Sequence, residues 1–490
     1  METPLACFNQ RMTDSWLVGY SSQEFANLTQ QRLQQLSTWE KPPTILLAER
    51  NPIYFLSGFM AACIANCPLF LGNPNWATTE WQQVLELAQP NLIWQETGTI
   101  PPRLMDGRNT STSPFSLLPP PSPPPILIPT SGTSGKIRFA IHTWQTLIAS
   151  VRGFQQYFEL APVNSFCILP LYHVSGLMQF LRSFTSGGRL VILPFKAVEA
   201  GEGESVEPEA FFLSLVPTQL QRLLNQPERI PWLSRFQTVL VGGAPAWPDL
   251  LEVARLHRIR LAPTYGMTET ASQIATLKPR DFLEGKNGCG QVLPHAQITI
   301  FNSMGDRLGP HQTGIITVWA KSLALGYYPS QPDTPNGSTS SPLRAKNLKM
   351  DGFRSFQPFF KQPGLQTDDL GFFDEQGYLH IVGRTSDKII TGGENVFPAE
   401  VEAAIRATGL VQDVCVMGIR DRHWGQIITA IYVPSHASTS QQDLQTALAN
   451  QLSKFKQPKQ WIAVAHLPRN AQGKIDRQQV KNLFDRFIHS

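Results

Sequence analysis

Short, largely apolar runs recur along this chain, each too brief for a helix, and they constrain its fold more than any other feature. Thr44–Ala48 (TILLA), Ile126–Ile128, Phe166–Leu169, Arg189–Leu193, Phe212–Val216, Thr238–Val241 and Gln297–Phe301 all read as strands. A strand that is apolar throughout needs cover on both faces, and helical spacings between several of the runs can supply it. A largely parallel sheet with crossover helices is therefore expected through the middle of the chain. After Gly383 the pattern changes to a compact α+β unit, with a Gly392-Gly393 turn, a helix opening at Pro398, a strand at Val414–Gly418 and a last helix from about Arg477. A chain of 490 residues exceeds what one core usually serves. The expected fold class is α/β: a large N-terminal α/β domain of several subdomains over residues 1–386, and a small α+β C-terminal domain over 387–490.

Composition narrows the partners. Lys and Arg number 41 against 37 Asp and Glu, and a net charge of +4 is too small over this length to favour nucleic acid. The six cysteines are scattered and do not read as a disulfide framework, so a reducing cytoplasm is the simplest home. Cys63 and Cys67 have no second pair at zinc spacing, and both read as small buried helix residues, so no structural metal is expected. The N-terminal residues lack the basic segment and apolar run of a secretory signal. Pro52–Leu71 carries no charge and approaches the length of a membrane span, but Pro52, Ser57, Gly58, Asn66 and Pro68 dilute it. A buried core helix is the expectation there, and no membrane span. Thr110–Pro125, Lys196–Pro208 and Pro329–Gln366 read as surface loops, rich in Pro, Ser, Gly or acid. Oligomeric state stays open, a homo-oligomer included.

Three local patterns carry chemistry. Thr130-Ser131-Gly132-Thr133-Ser134-Gly135-Lys136 follows a strand directly. Its glycines let the backbone approach a ligand, while hydroxyls, amides and a lysine suit polyphosphate, although the spacing is not that of a Walker A loop. Alone, it could also be a flexible Gly/Ser turn. Leu240-Val241-Gly242-Gly243-Ala244-Pro245 runs a strand into a turn against which a flat ring could lie. In Pro263–Thr270, Tyr265 can stack on a base, Thr268 can donate to a phosphate and Glu269 can hold Mg²⁺, which favours carboxylate and phosphate oxygen.

In this order the motifs resemble the acyl-adenylate-forming superfamily, which includes acyl-CoA synthetases, firefly luciferase and the adenylation domains of peptide synthetases. TSGTSGK resembles its phosphate loop, YGMTE its adenylate motif, and TDDLG with GRTSDKIITGGENVFPAEVE its ribose and hinge motifs; PRNAQGKIDR resembles the segment bearing its catalytic lysine. The resemblance covers nearly the whole chain and implies an acyl-CoA synthetase-like fold with a mobile C-terminal domain, acting on a carboxylic acid with ATP, Mg²⁺ and coenzyme A. It implies that Ser131, Thr133 and Ser134 contact the β- and γ-phosphates within a loop completed by Gly132, Gly135 and Lys136. Gly243, Ala244 and Tyr265 would hold adenine, with Gly266 and Met267 in the same nucleotide-binding stretch. Thr268 would meet the α-phosphate, Glu269 the Mg²⁺ and Asp369 the ribose hydroxyls, with Arg384 in support. Asp387 would be the hinge. Lys474 would bridge the substrate carboxylate and the α-phosphate, two anions that a positioned ammonium can bring together. Two departures stand out: Ile137-Arg138-Phe139 occupies the place of the usual Pro-Lys-Gly, and Asp368 that of a glycine.

The acid is suggested by Leu169–Leu177 (LPLYHVSGL), which resembles the segment whose histidine, here His173, gates the acyl site. HVSG with Arg182 following at nine positions is similar to the o-succinylbenzoate:CoA ligases of menaquinone and phylloquinone synthesis. Their substrate is a dianion, and an arginine in the pocket would meet the carboxylate that is not activated. Ser175, Gly242 and Ser272 are further candidate substrate contacts. On residue type alone, His173 would be a core histidine and Arg182 a solvated helix charge. Another aryl- or short-chain acyl-CoA ligase, or a nucleotide-binding homologue without catalysis, are the alternative readings.

Overall fold

The computed structural model describes residues 3–96, 123–131, 137–329, 364–391, 394–421, 424–449, 451–470 and 473–489. The apolar runs form the expected layers. Six mutually parallel strands, in the order Leu17–Val18, Leu190–Ile192, Asn164–Cys167, Phe211–Leu215, Thr238–Val241 and Leu261–Met267, continue into antiparallel Ser272–Thr276 and Gln291–Val292. A second sheet orders Tyr327–Tyr328, Ile137–His142, Ile126–Ser131, Leu69–Leu71, Ile45–Ala48 and Leu92–Gln95. Its last four strands are parallel and its first two pairings antiparallel. Between the two sheets pack the helices Pro52–Ile64, Trp144–Phe158 and Val174–Ser186, whose buried Phe55, Phe59, Leu147, Phe180 and Phe184 belong to one core.

Several boundaries differ from the sequence reading, each for a local reason. Pro52–Leu71 is not one helix: the helix ends at Ile64, Asn66 turns the chain in the left-handed region at φ 56°, and Leu69–Leu71 pairs as a strand between Ile45–Ala48 and Ile126–Ser131. Cys67 is buried as expected, but beyond the helix rather than in it. Ala296–Phe301 belongs not to the parallel sheet but to an antiparallel sheet with Gly314–Ala320, Leu365–Phe373 and Leu379–Arg384. Within Lys196–Pro208, expected as loop, the first residues continue the helix Phe195–Glu199, which buries Val198. Of Pro329–Gln366, the last two residues open a strand. Thr110–Ser122 and Gly392-Gly393 lie outside the described residues. Among the described residues no helix is long and apolar enough to cross a membrane.

From Ile389 onward the chain builds its own sheet from Ile389–Thr391, Glu394–Val396, Val411–Asp421, Gly425–Pro434 and Gln460–Ala463, with the helices Pro398–Ala407, Gln441–Leu448 and Arg477–His489. Val401, Ile405, Val414, Ile428 and Leu444 fill one of its cores, and Cys415, Ile431, Val480 and Phe484 another.

Candidate active site

The site lies where the parallel sheet meets the antiparallel one. Thr238–Val241 ends in Gly242-Gly243-Ala244, and beside it Leu261–Met267 runs into the single turn Thr268–Thr270. At that junction the pairing of Leu261–Met267 with Ser272–Thr276 shifts register between Tyr265 and Gly266. The backbones come so close that a Cβ on Gly266 would lie 2.2 Å from the Ser272 carbonyl oxygen, so no larger residue fits.

Tyr265 is buried and its hydroxyl donates to Asp369 Oδ2 at 2.7 Å, while Arg384 Nε donates to the other oxygen, Oδ1, at 3.1 Å. Asp369 and Arg384 are register partners on adjacent strands, which explains why residues fifteen apart in sequence meet here. Burial, and then the Asp369 charge, hold the Tyr265 phenol well above its usual range, so it stays a donor. Asp368 fastens the following turn, accepting from Ser386 N at 3.2 Å and from the Ser386 hydroxyl.

Glu269 Oε1 accepts from the Tyr327 hydroxyl at 2.6 Å. A single carboxylate fits Mg²⁺, which keeps waters and takes substrate phosphate oxygens instead of an all-protein cage. Among the described residues no group of three His, Cys, Asp or Glu side chains could hold a metal by itself.

Lys474 reaches this place from the far end of the chain. A Cβ placed on Gly243 would stand 3.2 Å from Lys474 Cε and 3.7 Å from Nζ. Burial and the Arg384 charge lower the Lys474 ammonium below its usual range, opposed by Glu269 and Asp369. All four groups thus share one neighbourhood. The turn that presents Lys474 is fastened by Lys474 N donating to Asn470 Oδ1 at 3.0 Å and by Arg469, which donates to the Gly473 carbonyl at 2.5 Å and pairs with Asp413. Asp387 stands 3.8 Å from Arg477 Nε.

The residues expected to receive the acid lie on and before the helix Val174–Ser186. His173 precedes the helix Val174–Ser186; burial, then the Lys474 charge, push its imidazole down to about 3, so it is neutral at ordinary pH. Ser175 is half-buried in the first turn of that helix. Arg182, two turns on, is not the solvated charge that residue type alone suggests: it is 3% exposed. Its Nη2 donates to Ser272 Oγ at 3.0 Å and Gln273 Oε1 at 2.9 Å, and its guanidinium carbon lies 4.2 Å from the Phe154 ring centroid. Burial alone lowers it to about 9, which leaves it a cation, and no described carboxylate pairs with it. Among the described residues Arg182 Nε, Gln273 Nε2 and both ring nitrogens of His295 find no hydrogen-bond partner.

Of the phosphate loop, Ser131 ends the strand Ile126–Ser131, pairing with Ile137; Gly132, Thr133, Ser134, Gly135 and Lys136 lie outside the described residues. Thr268, Glu269, Tyr265, Asp369, Arg384, Gly243 and Lys474 are brought together; Arg182 and Ser272 meet each other.

Residues 31–328 match the AMP-binding enzyme family, and residues 400–474 match the AMP-binding enzyme C-terminal domain. The chain belongs to the AMP-binding enzyme family. Among curated relatives of this AMP-binding enzyme, the 2-succinylbenzoate–CoA ligase of Oceanobacillus iheyensis is 34% identical over 312 residues, 64% of this chain and 60% of that protein. The ligase of the same name from Geobacillus sp. strain WCH70 is 33% identical over 357 residues, 72% of this chain and 68% of that protein. Among solved structures, o-succinylbenzoate CoA synthetase (MenE) from Bacillus subtilis, in complex with the acyl-adenylate intermediate OSB-AMP, has the same fold. It aligns with a TM-score of 0.77 over 97% of each chain at 24% identity.

Sequence reasoning missed three residues of this AMP-binding enzyme's site. Tyr327 sits on a two-residue strand with no motif around it. His295 is 6% exposed and follows a Leu-Pro step; only its packing against Gly153, where a Cβ would stand 1.8 Å from Nδ1, reveals it. His142 ends the strand leaving the phosphate-loop motif, and a lone histidine there carries no pattern.

Proposed function

We propose that this AMP-binding enzyme is an ATP-dependent acid:CoA ligase that converts 2-succinylbenzoate to its CoA thioester, a step of menaquinone and phylloquinone synthesis. The observation that carries the reaction is the position of Lys474, a cation from the C-terminal unit set against Gly243, Glu269, Asp369 and Arg384. In the first half-reaction a carboxylate oxygen of the acid attacks the α-phosphorus of ATP; the new O–P bond forms as the bond to pyrophosphate breaks. Both partners are anions, and the Lys474 ammonium between them offsets the repulsion as charge gathers in the transition state. Tyr265 and Gly243-Ala244 hold adenine, Asp369 accepts from the ribose hydroxyls, and Thr268 donates to the α-phosphate. Glu269 would hold Mg²⁺, whose charge, when bound, neutralises the polyphosphate. In the second half-reaction the CoA sulfur attacks the acyl carbon and AMP leaves with the bonding pair. Between the two, the unit after Asp387 turns about that residue and withdraws Lys474.

Arg182 supports a dianionic acid. A buried guanidinium with no carboxylate partner among the described residues calls for an anionic ligand, and the distal carboxylate of 2-succinylbenzoate supplies one, whereas a fatty acid offers none. Six cysteines scattered along the chain suit a cytoplasmic enzyme.

ATP–pyrophosphate exchange driven by a panel of acids tests both parts. 2-Succinylbenzoate should drive exchange strongly, and Lys474→Ala should lower it by roughly a hundredfold or more while sparing thioester formation from supplied acyl-adenylate. Equal exchange with benzoate would overturn the acid, and equal loss of both half-reactions would overturn the role of Lys474.

A further inference from the structure

The turn that carries Thr268 and Glu269 is held along its backbone, one carbonyl at a time, by donors from different elements. Thr268 O lies 2.8 Å from His142 Nε2 and also accepts from Ala271 N within the turn at 3.1 Å, Glu269 O accepts from Ala324 N at 2.8 Å, Thr270 O from Ser322 Oγ at 2.9 Å and Ala271 O from Ser150 Oγ at 2.6 Å. These pins oppose strain: Ala271 and Ser272, both non-glycine, sit in the left-handed region at φ 51° and 88°. A turn wound this way relaxes when a pin is lost.

His142 differs from the other three in where it comes from. It is 0% exposed and closes the strand Ile137–His142, which leaves the phosphate-loop motif, so its ring joins that strand to the Thr268 turn across the sheet edge. Its chemistry follows from its partners and its burial. A carbonyl only accepts, so Nε2 carries a proton; Nδ1 lies 3.0 Å from Thr146 Oγ1, whose single proton can go to it or to the Thr143 carbonyl, also 3.0 Å away. Burial lowers the imidazole to about 4, which leaves the ring neutral at ordinary pH.

We propose that His142 is a positioning residue for adenylate formation: as the neutral Nε2–H tautomer it locks the Thr268 carbonyl, so that the Thr268 hydroxyl and Glu269 carboxylate face the nucleotide in register with the strand from the phosphate loop. The inference rests on the adenylation chemistry proposed above. It touches no reacting atom; it acts through the turn.

Three substitutions separate this role from mere packing. In His142→Gln the side-chain amide reaches the place of Nε2 and can still donate to Thr268 O. In His142→Asn the amide reaches only the Nδ1 position, and His142→Leu has no donor. Pyrophosphate exchange with 2-succinylbenzoate should lose about a hundredfold in kcat in the Asn and Leu variants, with the KM of the acid unchanged, and most of it should return in the Gln variant. Titration calorimetry should show weaker ATP binding in the Asn and Leu variants when Mg²⁺ is present, and little change with metal-free ATP. Gln and Asn variants of equal activity, or a loss confined to the KM of the acid, would overturn the role. If the unaltered enzyme exchanges with no acid, the proposed reaction fails instead, and the Mg²⁺-dependent part of ATP binding in the same variants still decides for or against His142.

Discussion

Arg182 is a cation in surroundings that make its charge costly, and on the proposed reading it selects the acid. Its guanidinium is buried, one nitrogen is without a partner, and the groups that meet it, Ser272 and Gln273, are neutral. Hydrogen bonds to charged groups contribute about 1.5 to 3 kcal/mol, so loss of the contact to a distal carboxylate should raise the acid's KM by roughly tenfold to a hundredfold. In Arg182→Met that rise should come with kcat for exchange largely kept. 2-Succinylbenzoate, which should raise the melting temperature of the unaltered enzyme, should then raise it much less. An unchanged KM, or full thermal protection by the acid, would remove Arg182 from the pocket. At this scale the sequence was legible where a residue type stood in a motif, as with Asp369 and Lys474. It was not legible where function depends on what a ring happens to face: Tyr327, His142 and His295 are defined by partners 58, 126 and 142 positions away, and no local pattern announces them.

The helix Val174–Ser186 sets the distance between His173, at its N-terminal boundary, and Arg182, two turns along, and so, on the proposed reading, the distance between the two ends of the acid. What fixes its height above the sheet is Gly176, in its first turn. A Cβ there would stand 2.2 Å from the Pro170 carbonyl oxygen and 2.6 Å from that of Leu169, both main-chain atoms that cannot rotate away. Gly176→Ala should therefore push the helix off its seat at a cost of about 1 to 3 kcal/mol. Differential scanning calorimetry should show a lower melting temperature, and the KM of the acid should rise because Arg182 moves with the helix; a variant with both values unchanged would show that the helix is not seated by this contact. Periodicity found most elements, but not those whose ends are set by such close approaches. Pro52–Leu71 reads as one helix because no charge interrupts it, and the left-handed turn at Asn66 divides it. Ala296–Phe301 reads like the other strands, yet its partners, and so its sheet, are chosen by chain far from it.

Across the whole molecule, the site exists only because elements from distant parts of the chain converge. The ordered motifs announced that convergence, while the state of the charges within it comes from packing. Lys474 has Arg384 as a neighbour and little water, and both lower its ammonium below the ordinary 10.5. The proposed adenylation needs the protonated amine, so the activity should be complete below that lowered value and lost as pH rises through it. In kcat/KM, which reports the free enzyme, the alkaline limb of exchange should fall below 10.5; in kcat it should move upward, because bound phosphates and carboxylate favour the ammonium. Thioester formation from supplied acyl-adenylate, with Lys474 withdrawn, should not fall over the same range, since the CoA thiol becomes the better nucleophile as it ionises. Paired pH–rate profiles of the two half-reactions decide the matter: a shared falling limb would mean that one lysine environment serves both, and the turning of the C-terminal unit between them would have to be abandoned.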